Sequence, residues 1–335
     1  MKKLIIFGPW CGEFSYEIKW WIAEIRKVRN EQFKDHDAFM VGFRGRQFLY
    51  NDFIDKYFAY PSKMQDTLKY PATYGEHVNG KDIIPDNLFE YVKTIAKQHL
   101  DDYEEISFYT PGVLPIGPHR TLTESHYGHY QCYTPSDKIS AEIKNQIQFD
   151  NDKESIVILA RQRYRNGKPD RETWNPDHWM TFANLILSEL DLNIIFMNLE
   201  TKDSNGGSYD FSDHDINKTY SDRIKHINLH GMDSVERQIS ILQQTLCSVY
   251  GATGAATLAL LAGTNLFTQQ SKENGYRIHM EYKQFVNGYI GDKSELDFNP
   301  PVVFDKYNYS QLWDSPPIEL FESFKNYLRL IKSKS

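Results

Sequence analysis

Apolar and polar positions along the chain alternate between two periods. An apolar run, Leu4 to Phe7, closes at Gly8-Pro9 and gives way to the helical spacing of an amphipathic stretch from Phe14 to Val28. Ala38 to Phe43 reads as the next strand, Asn87 to Leu100 as a helix with Asp86 placed to cap it, and Ile106 to Tyr109 as a further strand. From Pro111 to about Asn151 the pattern breaks into Pro, Gly, His and Tyr, followed by a short polar helix before Asp150-Asn151-Asp152, which is the composition of a linker. A second series then begins: strand Ser155 to Ala160, helix Pro176 to Leu190, strands Asn193 to Met197 and His226 to Leu229, helix Ser234 to Gln244, strand Leu246 to Tyr250, helix Gly254 to Ala262 and strand Asn265 to Thr268. Strands alternating with helices predict parallel sheets wound with helices, an α/β fold, rather than an all-β or bundle fold. Two series of similar length predict two Rossmann-like domains, 1–152 and 153–316, facing a central cleft. The last helix, within 317–335, is amphipathic through Ile318, Phe321, Phe324, Leu328 and Ile331 and is expected to return to the first domain.

Composition agrees with two domains, because 335 residues exceed what one hydrophobic core usually supports. A net charge of -7 and a pI near 5.9 lack the basic footprint that duplex nucleic acid demands, so no nucleic-acid partner is expected. The apolar run near the N-terminus is too short for a secretory leader and lacks a small-residue cleavage site, and no stretch approaches the roughly 18 apolar residues of a membrane span. The expectation is a soluble protein, with peripheral membrane contact left open. Cys11, Cys132 and Cys247 are odd in number and widely spaced, which argues against a disulfide framework and for a reducing cytoplasm.

Candidate chemistry sits at strand ends, where open α/β sheets place ligands. The first loop, Gly8-Pro9-Trp10-Cys11-Gly12-Glu13, is neither the dinucleotide fingerprint nor a P-loop, since its glycine spacing is wrong and no Lys-Ser/Thr follows. Glu13 opens a helix, where a carboxylate either stabilises the positive end of the helix dipole or serves as a catalytic group. Glu17 lies one turn on, on the same face. In the second series Arg161, Arg163, Arg165 and Lys168, with Arg171, follow a buried strand; such alternating cations read either as a solvated loop or as a grip on phosphate, for which a diphosphate is the economical ligand. Gly251, Thr253 and Gly254 lie between another strand and a helix of small residues, a tight turn that also lets an anion approach backbone N–H groups. His119, His126, His129 and Cys132 match no zinc spacing, so no metal site is expected. Tyr127, Tyr130 and Tyr133 read either as rings that stack on a sugar or as ordinary packing.

Three of these segments carry a family resemblance. Arg171-Glu172-Thr173-Trp174-Asn175-Pro176-Asp177-His178-Trp179 resembles the K/R-x-W-P-x-x-x-W/F-x-x-L-A signature of heptosyltransferase-like glycosyltransferases of the GT-B architecture. Gly251-Ala252-Thr253-Gly254-Ala255-Ala256-Thr257-Leu258-Ala259 resembles their D-T-G-x-x-H-L-A turn, with Ala252 and Thr257 in place of the Asp and His, so those two side-chain contacts do not carry over. Gly12-Glu13 stands where the family has Gly-Asp. The R-x-R run also resembles the H-x-R segment of fucosyltransferases that use GDP-fucose, with Ala160 at the histidine position.

The resemblance implies an inverting transfer with no obligatory metal and no bound cofactor. A nucleotide-diphosphate sugar is the co-substrate, and the acceptor is a hydroxyl of a glycan or another molecule. Glu13 becomes the candidate base. Arg161, Arg163, Arg165, Lys168, Gly251, Thr253 and Gly254 become donor contacts, with Asn198, Glu200 and Thr201 at the nucleoside; Gly12, Glu17, Tyr127 and Tyr130 fall on the acceptor side. A nucleotide-sugar epimerase of the same plan and a catalytically inactive sugar-binding protein are the alternatives.

Overall fold

The structure, a computed structural model, describes residues 2–12, 14, 17–67, 76–78, 81–111, 133–162, 164–165, 168–169, 173–199, 207–229, 233–251, 256–271, 302–305 and 316–333. The chain divides into two compact units, Met1–Gln131 with Gly231–Val235, and Cys132–His230 with Glu236–Ser335.

The first unit runs β1 (Lys3–Phe7), a π-helical turn (Glu17–Trp21), α1 (Ile22–Gln32), β2 (Asp37–Gly42), a 3-10 turn (Gln47–Tyr50), β3 (Lys56–Ala59), α2 (Ser62–Thr67), the hairpin β4 (Glu76–Val78) and β5 (Lys81–Ile83), α3 (Asp86–Lys97) and β6 (Glu105–Tyr109). Its main sheet is parallel throughout, in the order β3-β2-β1-β6. Leu4, Ile5, Ile6 and Phe7 are all buried, which is why β1 reads as an unbroken apolar run rather than an alternating one. Within the stretch that the sequence predicts as one helix, Glu17–Trp21 forms a π-helical turn ahead of α1, and its Glu17, Ile18 and Trp21 are buried in the core. Asp86 is not the cap of α3. Pro85, in extended backbone, holds that position, and Asp86 lies in the first turn, where the helix dipole favours its charge.

The second unit runs α4 (Asp137–Ile147), β7 (Glu154–Leu159), β8 (Arg161–Gln162), β9 (Tyr164–Arg165), β10 (Lys168–Pro169), α5 (Pro176–Glu189), β11 (Leu192–Leu199), β12 (Gly207–Ser208), α6 (Ile216–Thr219) and β13 (Ile224–Leu229). It continues with α7 (Ser234–Gln243), β14 (Cys247–Tyr250), α8 (Ala256–Leu261), β15 (Leu266–Ser271), β16 (Val302–Asp305) and α9 (Pro317–Lys332). Its six-stranded sheet is parallel, in the order β13-β11-β7-β14-β15-β16. The order therefore runs outward from β7 through β11 to β13, then reverses and runs from β14 to β16. The reversal falls between β7 and β14, and open α/β sheets bind their ligands at such a point, beyond the carboxyl ends of the strands.

Two expectations about domain organisation are corrected. The last helix, α9, belongs to the second unit, not the first. Its Leu320, Phe321, Phe324, Leu328 and Ile331 join the core built by α5 and the sheet, with Phe324 edge-on to Phe182 at 5.7 Å and to Phe267 at 5.2 Å. Ile318, expected on the apolar stripe, is 51% exposed. Helical periodicity fixes which face of α9 is apolar, but carries no information about which distant apolar face receives it. The boundary also falls at 131/132 rather than 152/153, because α4 packs within the second unit: Glu142 pairs with Arg237 at 2.5 Å and Gln244 Nε2 donates to the Ser140 carbonyl at 3.2 Å.

Candidate functional site

In the second unit the end of β7 and the end of β14 are drawn together by the parallel ladder. Gly251 N–H reaches the Leu159 carbonyl at 3.4 Å, and a Cβ on Gly251 would lie 3.4 Å from both Arg161 Cβ and Trp179 Cζ2. The two segments that the sequence marks for phosphate, around Arg161 and around Gly251, thus meet at the point where strand order reverses. The start of α5 supplies the floor. Asn175 caps the helix by accepting from Asp177 N–H at 2.9 Å, Pro176 occupies its first turn, and Trp179 packs edge-on against Trp174 at 4.8 Å, both indoles being buried. The two tryptophans of the family-like signature are therefore packing residues beneath the site.

The basic segment after β7 is built as short strands rather than as a loose loop. β8 pairs antiparallel with β12, which places Ser208 opposite Arg161, and Tyr209 N–H donates to the Ala160 carbonyl at 2.8 Å. β9 and β10 pair with Lys168 opposite Arg165. Arg161 is half-buried. Arg163 lies outside the described residues, as do the side chains of Arg165 and Lys168. Glu200, Thr253 and Gly254 are outside them too.

Asn198 was expected to line a nucleoside pocket. It is only 7% exposed, and its Nδ2 donates to Asn228 Oδ1 at 2.9 Å and to Asp210 Oδ1 at 3.4 Å. The reason is register: Asn198 on β11 and Asn228 on β13 are direct partners in the ladder. Asp210 and Asn228 are the exposed members of this cluster, and neither was singled out from the sequence. The only signal available was their nearness to strand ends, which many polar residues share. Backbone and side-chain hydrogen bonds from Ser212 hold the Asp210 carboxyl below its ordinary range.

In the first unit the loop after β1 is pinned on both sides. Gly8 N–H donates to the Tyr109 carbonyl at 2.9 Å and Trp10 N–H to the Val41 carbonyl at 3.0 Å. Gly8 has φ of 115°, and a Cβ there would come within 2.6 Å of the Val41 oxygen, so the position requires glycine. Gly12 serves packing as well, because a Cβ on it would meet the Trp10 ring at 2.3 Å.

Glu17, assigned to the acceptor side from the sequence, is corrected. It is 0% exposed, ion-paired to Arg46 Nη1 and accepts from Tyr50 OH at 2.5 Å. Arg46 in turn lies over the Phe43 ring at 4.4 Å and the Phe14 ring at 4.9 Å. Burial pushes the Glu17 carboxyl above its ordinary range, against the opposing pull of Arg46 and Tyr50. A carboxylate so enclosed holds the fold around the π-helical turn and has no surface to offer an acceptor. Glu13, Tyr127, Tyr130, His119, His126, His129 and Cys132 lie outside the described residues. Tyr133 is buried in the second unit, its N–H donating to the Leu261 carbonyl at 3.0 Å. Among the described residues no group of three His, Cys, Asp or Glu side chains is placed to hold a metal, and no helix is long and apolar enough to cross a membrane.

No family model and no curated protein matches the sequence. Solved structures do resemble the fold. E. coli ADP-heptose LPS heptosyltransferase II shares 10% identity at a TM-score of 0.54, covering 100% of both chains. The glycosyl transferase family 9 protein from Veillonella parvula shares 9% at 0.53, covering 100% of this chain and 98% of its own. E. coli heptosyltransferase WaaC with ADP shares 9% at 0.52, covering 99% of this chain and 100% of its own. With its two parallel α/β sheets, one of them ordered as in dinucleotide-binding folds, the chain has the heptosyltransferase-like GT-B fold.

Proposed function

We propose that this chain is a glycosyltransferase that moves a sugar from a nucleotide-diphosphate sugar to a hydroxyl of a glycan or another acceptor, with inversion and without an obligatory metal. The observation that carries the reading is the meeting of Arg161 with Gly251 at the strand-order reversal of the second sheet. An arginine and a glycine brought together at two strand ends suit a diphosphate, whose negative charge grows as the bond to the sugar breaks. In this reading the second unit grips the leaving nucleoside diphosphate through Arg161, Arg163 and Arg165. Glu13 of the first unit takes the proton from the acceptor hydroxyl as that oxygen attacks the anomeric carbon. The shared fold with heptosyltransferases, one of them bound to ADP, supports the donor class. The buried free thiol of Cys247 suits a reducing compartment such as the cytoplasm.

Calorimetry with UDP, GDP, ADP and CDP tests the phosphate assignment. Alanine at the arginine that contacts the diphosphate should weaken the best binder by roughly 1.5–3 kcal/mol, the scale of a hydrogen bond to a charged group. Unchanged affinity in Arg161→Ala, Arg163→Ala and Arg165→Ala alike would remove it. Isomerisation of the donor sugar without an acceptor would identify an epimerase instead.

A further inference from the structure

The polar cluster at the carboxyl ends of β11 and β13 is left unused by the phosphate site, yet it is built with care for a surface feature. Three side chains from separate parts of the chain converge there: Asn198, Asp210 and Asn228. The buried Asn198 amide donates to both of the others, which holds an exposed carboxylate and an exposed carboxamide within two hydrogen-bond lengths of each other. Ser212 N–H also donates to Asp210 Oδ1, at 3.0 Å. An ionised carboxyl offers about four acceptor positions, so these two donors leave acceptor capacity over. Asn228 spends its oxygen on Asn198 and keeps two N–H donors. The pair thus offers solvent a fixed acceptor beside a fixed donor, both on planar groups of the kind that read the edge of a nucleobase.

The position fits as well. β13, β11 and β7 are parallel neighbours in one sheet, so the cluster lies at the same carboxyl edge as the phosphate site, and β12, which ends two residues before Asp210, is paired to β8 with Ser208 opposite Arg161. From β7 to β13 is two strand spacings, about 10 Å in all. A nucleoside extending toward β11 from phosphates at the end of β7 would bring its base to β13, where Asn228 stands. Building on the donor-site reading above, we infer that Asp210 and Asn228 read the base of the nucleotide donor, Asp210 accepting from an edge N–H of the base and Asn228 donating to the neighbouring carbonyl or ring nitrogen.

Asp210→Asn is the discriminating change. It keeps an Oδ1 to accept from Ser212 and Asn198, so an unchanged melting temperature is expected, but it turns the free acceptor into a donor. Binding of UDP, GDP, ADP, CDP and base-free inorganic pyrophosphate is measured by calorimetry for both proteins. The wild type is expected to rank the four nucleotides. The variant should bind the wild type's best nucleotide about 10-fold more weakly or worse, narrow or reorder the ranking, and bind pyrophosphate as before. An equal loss for all four nucleotides would place Asp210 on the ribose and overturn base reading. An unchanged ranking in the variant would overturn it too, leaving the donor site standing. If neither protein bound any of the four nucleotides or pyrophosphate, the donor site itself would fall and base reading with it.

Discussion

Glu13→Gln is expected to lower sugar transfer by about 100-fold or more while leaving nucleoside diphosphate binding intact, because general-base catalysis contributes on that scale. The amide keeps the length of the side chain and the start of the helical segment but cannot accept the acceptor's proton. Transfer is followed as nucleoside diphosphate released in the presence of acceptor, and binding by calorimetry on the same preparation. Loss of both activities together would mean that Glu13 holds the fold, as first-turn carboxylates often do. Transfer at the wild-type rate would move the base elsewhere. Glu17, the nearest carboxylate along the chain, would not inherit the role, since it has no exposed surface and is already bound by Arg46 and Tyr50.

That buried pair carries the second large effect. Arg46→Ala should cost about 3–5 kcal/mol of stability at neutral pH, the usual penalty for stranding a buried charge. The cost should depend on pH with a definite sign. Glu17 already binds its proton more tightly in the folded chain than in the unfolded one, burial being the largest cause, and Arg46 opposes that shift. Without the guanidinium the folded pKa rises further, so the variant takes up a proton over a wider range as pH falls and relieves the stranded charge. Denaturant unfolding should therefore show a larger deficit at pH 8 than at pH 5. A deficit that is the same at both, or larger at pH 5, would show that Glu17 is not the group left unpaired. Loss of the cation–π contacts with Phe43 and Phe14 adds a part that does not vary with pH.

How much of this could be read from the residues depends on the kind of information each feature carries. Strands β1, β7, β11 and β14 lie inside their sheets and are written as largely apolar runs, so the parallel α/β plan is legible. Arg161 and Gly251 stand out because each follows such a run, and the right-handed winding of these units places strand ends on one edge. Side-chain pairing across the chain is another matter. Nothing local to Glu17 reveals that Arg46 will meet it, and the carboxylate that seemed free to face an acceptor is internal. The destination of α9 is likewise a matter of which core is short of an apolar partner. Asp210 and Asn228 are ordinary polar residues until the ladder register sets Asn198 between them. The short strands β3, β8 and β12 are too brief to show a period, and their existence is set by their partners rather than by their own composition.

A crystal structure with bound UDP, GDP, ADP or CDP, whichever binds tightest, would locate the donor site without any assumption about the acceptor. The diphosphate is expected at the carboxyl ends of β7 and β14, against the Arg161 guanidinium and the backbone that follows Gly251. A nucleotide seated on another edge of the second sheet, or on the first unit, would contradict the glycosyl-donor reading of this site.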